Sequence, residues 1–293
     1  MFNSTNLNKT LVLLLLGIWI ISPVYSQVKR KKPKNLGDNF ENTQWWLGFK
    51  AGGNLTQAVP KERYSTFSSS SNADPALYNK DYEDFHQLGA NAGLEITFFH
   101  KGFSFSFQPN YRRQRFFYSN DYLWTDSENS DNTLILRYEQ DHQLDYLEFP
   151  VSVKYDITRT KIRPSVFLGY YYATLINANK SLTITGTDLA SGGANSFEYD
   201  QIIVGAKDLF IKSSMGVLGG VGGSYDVGNL RISLDVTYRY GLNNISNVKN
   251  RFINNRLAGA GDALDDIKLR NITFNLAVLF PMRFLGTGFK AVN

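Results

Sequence analysis

Three histidines, His86, His100 and His142, are the imidazoles available for acid–base chemistry in this chain of 293 residues. His142 follows Asp141, so a serine brought beside them by folding could form a hydrolase triad. Neighbouring positions in sequence give this idea little support, because a triad depends on geometry in space. The chain has no cysteine, which excludes thiol catalysis, thiolate metal sites and disulfides. We therefore expect no enzyme and no catalytic residue.

Two other patterns could bind small ligands. The acidic stretch at residues 126–131 could recruit Ca²⁺, but it lacks the ordered ligand spacing and the glycine of a calcium loop. The glycines of residues 216–223 fall inside a predicted strand, whereas a phosphate-binding loop lies between a strand and a helix. Glycines there relieve crowding or let the strand bend. The sequence therefore predicts no metal ion and no cofactor.

The first residues have the features of an export signal. Lys9 precedes an apolar run at residues 11–21, and small residues follow up to Ser26. This pattern predicts a secretory signal peptide over residues 1–26. An uncleaved membrane anchor is the alternative, but the run is short for a membrane-spanning helix.

A strongly basic segment follows the predicted cleavage site. Its charges are Lys29, Arg30, Lys31, Lys32 and Lys34. Residues 27–44 show no apolar periodicity, which predicts a flexible periplasmic segment. We expect these five residues to bind a periplasmic or outer-membrane partner protein; a solvated linker is the alternative. Nucleic acid is not an expected partner, since the segment would be exported and no outward basic stripe with interleaved aromatics accompanies it.

From residue 45 onwards the dominant pattern is period-two alternation of apolar and polar residues, which is typical of β-strands. Eight segments show it: residues 45–56, 88–99, 102–112, 144–157, 162–175, 210–227, 230–240 and 269–284. Three short turns alternate with four longer connections, at residues 57–87, 118–143, 176–209 and 241–268. Outer-membrane barrels have short periplasmic turns and longer extracellular loops.

The predicted fold is therefore all-β: an eight-stranded antiparallel up-and-down transmembrane β-barrel over residues 45–285 with four long extracellular loops. Residues 286–293 would form a periplasmic tail. Lipid of the outer membrane would contact the outward apolar face. The alternatives are a soluble two-sheet sandwich and a soluble lipocalin-like barrel, in which the apolar residues would lie inside. The many charged residues on the opposite face favour the membrane barrel.

Charges on the inward face are expected to pair at matching heights, since unpaired ions in a narrow lumen would be costly. The predicted pairs are Lys50 with Glu95, Arg112 with Glu148, Asp156 with Arg163, and Asp226 with Arg231. Together with Trp46, Phe167 and Tyr171, such pairs would fill the bore. The alternative is a conduction path lined by the same charges.

Aromatic residues at both borders of the apolar face predict two girdles, as membrane barrels have. The expected lower girdle is Trp45, Phe98, Phe103, Tyr155, Tyr225 and Phe280, and the upper girdle includes Tyr111, Tyr170, Tyr238 and Tyr240.

The segment at residues 146–155, YLEFPVSVKY, and the segment RPSVFLG at residues 163–169 resemble the PorT-like outer-membrane barrel family of Bacteroidota. The sequences GGVG at 219–222 and YRYGLNN at 238–244 agree with this resemblance. It implies a membrane barrel associated with type IX secretion and gliding motility, with no catalytic residues to carry over.

These observations favour a non-enzymatic barrel in the outer membrane of a Gram-negative bacterium, with both termini periplasmic. We expect a scaffold or accessory role in envelope assembly or protein secretion, with envelope or secretion-system proteins as partners. A surface adhesin or small-ligand-binding barrel and a narrow channel are the alternatives.

Overall fold

The computed structural model describes residues 43–64, 80–129, 131–158, 160–227, 230–251 and 263–282, all within one compact unit. Its strands are β1 (Thr43–Glu62), β2 (Asp81–Tyr82), β3 (Leu88–His100), β4 (Phe103–Phe107), β5 (Asn110–Thr125), β6 (Thr133–Asp156), β7 (Ile162–Asp188), β8 (Asn195–Gly205), β9 (Ser213–Val227), β10 (Leu230–Gly241) and β11 (Asp266–Pro281). Short 3-10 helices occupy Lys207–Leu209 and Val248–Asn250. None of the helices in these residues is long and apolar enough to cross a membrane.

The sheet closes on itself as a barrel with eight strand positions. β1 pairs with both β3 and β11, and the ring continues through β4 with β5, β6, β7, β9 and β10. All neighbouring strands are antiparallel. β4 and β5 share one position because the strand is interrupted at Gln108 and Pro109, and proline cannot donate to a strand ladder. The predicted eight-stranded up-and-down barrel is confirmed.

The two ends of the barrel differ in their connections. At one end, Lys101 and Gly102 alone join β3 to β4, with φ values of 46° and 95°. Two successive positive φ values suit a two-residue hairpin, because its twist then matches the strands. The β6–β7 connection is also short, and we call this the tight-turn end. At the opposite, long-strand end several strands continue beyond the ring.

Two of the predicted loops are largely strand, which corrects the sequence-based boundaries. β5 continues to Thr125 and β6 begins at Thr133, so the expected loop 118–143 is a long hairpin. The expected loop 176–209 contains the rest of β7 and all of β8. These two segments are rich in Asn, Asp and Ser, as loops are. A paired strand that extends beyond the membrane is exposed to water, however, and therefore carries the same polar residues.

Other predictions lie outside the described residues or shift slightly. The signal peptide, the five basic residues of the following segment and the C-terminal tail lie outside them. The sixth predicted strand begins at Ser213 and not at residue 210, because Phe210 instead forms a bridge with Ser246 in the connection after β10.

Candidate functional site

An apolar belt surrounds the barrel next to the tight-turn end. Its outward side chains are large and strongly exposed, for example Phe49 at 68%, Leu168 at 74% and Leu234 at 63%. On β11 the outward apolar positions run from Ile272 to Phe280. This length suits a tilted strand that crosses the hydrocarbon of a bilayer. So large a contiguous apolar surface marks an interaction face rather than a face for water.

The residues predicted as aromatic girdles lie at the two borders of this belt. At the tight-turn end Trp45, Phe103, Tyr155, Tyr225 and Phe280 are exposed and Phe98 is half-buried. The ring centroids of Trp45 and Phe98 are 4.9 Å apart, as are those of Phe103 and Tyr155. At the other border Tyr111, Tyr170 and Tyr238 are exposed and Tyr240 is half-buried.

The polarity of both faces changes on the long-strand side of the belt. Along β6 the outward residues are apolar from Tyr155 to Leu147 and then polar: Arg137, Glu139, Asp141 and Gln143. The inward residues become more apolar, from Glu148, Ser152 and Lys154 to Tyr146, Leu144 and Tyr138, with Gln140 and His142 also buried among them. This change places the border of the belt on β6 between Leu147 and Asp145.

Inside the belt, buried charges form two ion-pair groups. Glu148 Oε2 accepts from Arg112 Nε and from Arg239 Nη2, both at 2.8 Å. Arg239 also stacks over the Tyr171 ring, with its guanidinium 4.1 Å from the ring centroid. The fully buried Glu148 is therefore the counter-ion shared by two cations that the barrel wall removes from water.

The second group joins opposite sides of the bore. Lys50 Nζ lies 3.5 Å from Glu95 Oε2 and 2.9 Å from Asp235 Oδ2, and Lys154 Nζ lies 3.2 Å from Asp235 Oδ1. The contact of Lys50 with Glu95, on adjacent strands, was predicted from the sequence. The contacts of Asp235 with the two lysines were not, although the alternation places all three charges on the inward face.

At the tight-turn rim one predicted pair has a different partner. Asp226 contacts Arg231 at 2.7 Å, as predicted, and also Arg163 Nη2 at 2.7 Å. Arg163 was expected to pair with Asp156, but Asp156 lies opposite Ser165 in the register. The reason is the turn: the Ile157 N–H donates to Pro164 O, so the connection is two residues longer than assumed.

The bore is closed by side chains. Trp46, Phe167 and Tyr171 are buried at its inner face, and Arg231 lies 4.3 Å from the Trp46 ring centroid. Between Lys50, Arg112 and Arg239 there remains a cavity of about 20 Å³, room for about one water molecule.

On the long-strand side the interior contains a hydrophobic cluster, together with buried polar side chains such as Gln140 and Lys180. The connections after β8 and β10 fold back over the bore, so that Leu209, Phe210 and Ile245 pack against strand residues such as Phe116 and Leu144. A buried ion pair accompanies this cluster, with Lys80 Nζ 2.9 Å from Asp265 Oδ1. Burial lowers the pKa of the Lys80 ammonium, although the Asp265 carboxylate beside it opposes the shift.

The strands that continue past the belt form what we call the extension: β2, residues 115–125 of β5, 133–145 of β6, 176–188 of β7, and β8. In this sheet β2 pairs with β5 and β8 with β7, which leaves β8 as an edge. The residues of β8 are exposed on both faces, including Tyr199 at 57% and Ile203 at 67%. β8 was not predicted, since its alternation is weak.

The tips of the two hairpins in the extension are acidic. At one tip the Glu128 N–H and the Asn132 side chain donate to Asp126, which lowers the pKa of that carboxyl. At the other, Ser191 Oγ and the Ala190 N–H donate to Asp188 and lower its pKa as well. Both carboxylates therefore keep their charge to a lower pH than a free aspartate does.

The histidines do not form a reactive group with the acidic residues considered for them. His142 is fully buried and stacks on Phe116 at 4.7 Å, whereas Asp141 points outward to an ion pair with Arg115. Adjacent residues of a strand face opposite sides, so this Asp and His cannot work as a pair. In the described ranges no three His, Asp or Glu side chains are grouped to hold a metal ion.

Comparison with known families gives one match that spans most of the chain. Residues 25–247 match the family model described as an outer membrane protein beta-barrel domain. No curated protein matches the chain.

Several solved structures resemble the chain at low identity. Neisserial surface protein A is 15% identical, with 80% of this chain and 96% of that chain covered and a TM-score of 0.31. Outer membrane protein W of E. coli is 14% identical, covers 80% and 97%, and has a TM-score of 0.29. Ail of Yersinia pestis, in complex with the heparin analogue sucrose octasulfate, is 9% identical, covers 81% and 99%, and has a TM-score of 0.28.

Proposed function

Because the chain belongs to the outer membrane protein beta-barrel domain family, we propose that it is a non-enzymatic scaffold or accessory protein in envelope assembly or protein secretion. Its place is the outer membrane of a Gram-negative bacterium. The barrel would anchor the protein in lipid, and the extension would meet its partners.

The filled bore carries this proposal. Glu148 with its two arginines, and Asp235 with its two lysines, cross-link the wall from within. The cavity left between them admits about one water molecule. In the described part of the chain such an interior leaves little room for ions or small solutes, and we therefore expect the protein to act through the surfaces outside the belt.

Within this role we propose a function similar to the PorT-like barrels, in type IX secretion. The support is the resemblance of residues 146–155 and 163–169, which form the belt-crossing parts of β6 and β7. We also propose that the tight-turn end is periplasmic. The five basic residues that precede β1 would then offer a second contact for a periplasmic partner.

One purified sample tests the scaffold against the channel. The full chain, extracted from native outer membranes in mild detergent, is expected to retain stoichiometric envelope proteins, identified by mass spectrometry. The same sample in a planar bilayer is expected to give no steady conductance. Steady conductance without a retained partner would contradict the proposal and favour the channel. Heat-modifiable migration in electrophoresis confirms that the barrel in each sample is folded.

A further inference from the structure

β8 presents a free strand edge outside the belt. In the described part of the chain, β8 pairs with β7 on one side and with no strand on the other. Its side chains are exposed on both faces, with Tyr199 at 57%, Ile202 at 44% and Ile203 at 67%. Strand edges of this kind template pairing with another chain, and proteins normally cover them or protect them by charge.

The register shows which backbone groups the edge presents. The Ala206 N–H donates to Ala178 O at 2.8 Å, so the backbone at position 206 faces β7. Backbone groups alternate between the two sides of a strand, and Val204 opposite Lys180 therefore also faces β7. The N–H and C=O of Ile203, between them, point away from β7 to the open side.

Charge restricts what can pair there. Residues 181–205 carry Asp188, Glu198 and Asp200 and no lysine or arginine. The neighbouring hairpin, residues 118–143, adds six acidic residues to one arginine: Asp121, Asp126, Glu128, Asp131, Glu139 and Asp141, with Arg137. That arginine is already paired, with Glu139 at 3.1 Å and Asp121 at 3.5 Å. A strand that pairs at this edge therefore approaches a region of negative electrostatic potential, which favours a basic partner.

Two occupants from this chain are disfavoured. β1 begins at the tight-turn end, where Thr43 lies opposite His100, whereas β8 lies at the long-strand end. The basic residues that precede β1 in the sequence are therefore the less suitable occupants. A second copy pairing edge to edge would bring Glu198 and Asp200 close to the same acidic residues of its partner. Like charges directly opposite on paired strands are destabilising.

We propose that β8 is a docking edge for an extended, basic segment of another envelope protein, which adds to the extension as a further strand. Main-chain hydrogen bonds to the open side of Ile203 would provide affinity, as in other strand-addition complexes. Contacts of lysine or arginine with Glu198 and Asp200 would provide selectivity, and the exposed Tyr199 and Ile202 would cover apolar side chains of the partner. This inference rests on the proposed scaffold role and names the chemistry of its partner.

The experiment uses two synthetic probes on the detergent-solubilised full chain. A fluorescent peptide of alternating lysine and valine is the expected ligand, and a glutamate–valine peptide of equal length is the control. Fluorescence anisotropy is expected to show binding of the basic peptide alone. Ile203→Pro is expected to weaken it about tenfold or more, because proline removes the outward N–H and obstructs the approach. Ile203→Val keeps the backbone and is expected to bind like the parent.

A second variant tests the same edge without introducing a proline into β8. Replacing Glu198 and Asp200 together by lysine is expected to abolish binding of the basic peptide while the barrel keeps its heat-modifiable migration. Equal binding of both peptides to the parent, or unchanged affinity in both the proline and the lysine variants, would overturn the docking edge. The proposed scaffold role is tested separately. It would be contradicted by steady conductance without co-purifying envelope proteins in the experiment above, whatever the peptides show.

Discussion

Glu148→Gln is expected to destabilise the barrel by about 3–5 kcal/mol, the cost of removing one partner from a buried ion pair. The carboxylate is fully buried and receives hydrogen bonds from both Arg112 and Arg239 at 2.8 Å. The amide keeps the shape of the side chain but removes the charge, so two guanidinium groups lose their counter-ion. The free energy of unfolding, measured by urea titration of the barrel in lipid vesicles, gives the effect.

The matched control lies on the same strand. Glu139 pairs with Arg137 at 3.1 Å where the side chains are 40% and 48% exposed, so Glu139→Gln is expected to cost less than about 1 kcal/mol. Adding Arg112→Met to Glu148→Gln is expected to recover part of the loss, with Arg239 still unpaired. Strictly additive losses would show that Arg112 and Glu148 do not interact.

Val151→Arg is expected to destabilise the inserted barrel by about 2–4 kcal/mol, as arginine does near the middle of a lipid-facing barrel surface. Val151 is 54% exposed on the outward face of β6 within the belt. Phe105, on the neighbouring β4, should respond in the same way. The measurement is the unfolding free energy in vesicles of defined thickness.

Gln143→Arg provides the comparison on the same face of β6. This position lies past the polarity inversion, among Glu139, Asp141 and Asp145, so arginine there is expected to change stability by less than about 0.5 kcal/mol. Equal costs at Val151 and Gln143 would mean that the belt does not face lipid. Ser106→Arg and Ser152→Arg test the inward face, where space and pairing in the lumen decide the outcome.

The barrel wall could be predicted because its alternation is unbroken. Phe103, Phe105 and Phe107 alternate with Ser104 and Ser106, and the structure exposes the former and buries the latter. Alternation leaves only two choices for the face that points inward, and the charged residues on one face identify it as the lumen side. Tight turns at one end then determine the up-and-down topology.

The extension could not be predicted in the same way. Outside the belt the apolar face turns inward, so in β5 and β6 the alternation changes phase near Tyr111 and Leu147 and resembles a loop with scattered apolar residues. No residue of β8 is fully buried, and only Phe197 and Val204 are half-buried. With so little burial the strand has no consistent apolar face that the sequence could reveal, and it is its pairing with β7 that makes it a strand.

Lumen contacts were predictable between adjacent strands and not across the bore. Arg112 and Glu148 lie on neighbouring strands, so their heights could be compared from the turns. Lys50 and Asp235 are 185 residues apart, and their contact depends on the curvature of the closed barrel. Asp156 and Arg163 did not pair as predicted, because a turn two residues longer than assumed places Asp156 opposite Ser165 and leaves Arg163 with Asp226.

The most direct test of the account is the side of the membrane on which the extension lies. Since the chain has no cysteine, single cysteines can be introduced at Ala194, the exposed tip between β7 and β8, and at Thr160, in the β6–β7 turn. A membrane-impermeant maleimide on intact cells is expected to label Ala194→Cys fully and Thr160→Cys only after the outer membrane is permeabilised. Labelling of Thr160→Cys in intact cells, with Ala194→Cys protected, would contradict the account and place the extension in the periplasm.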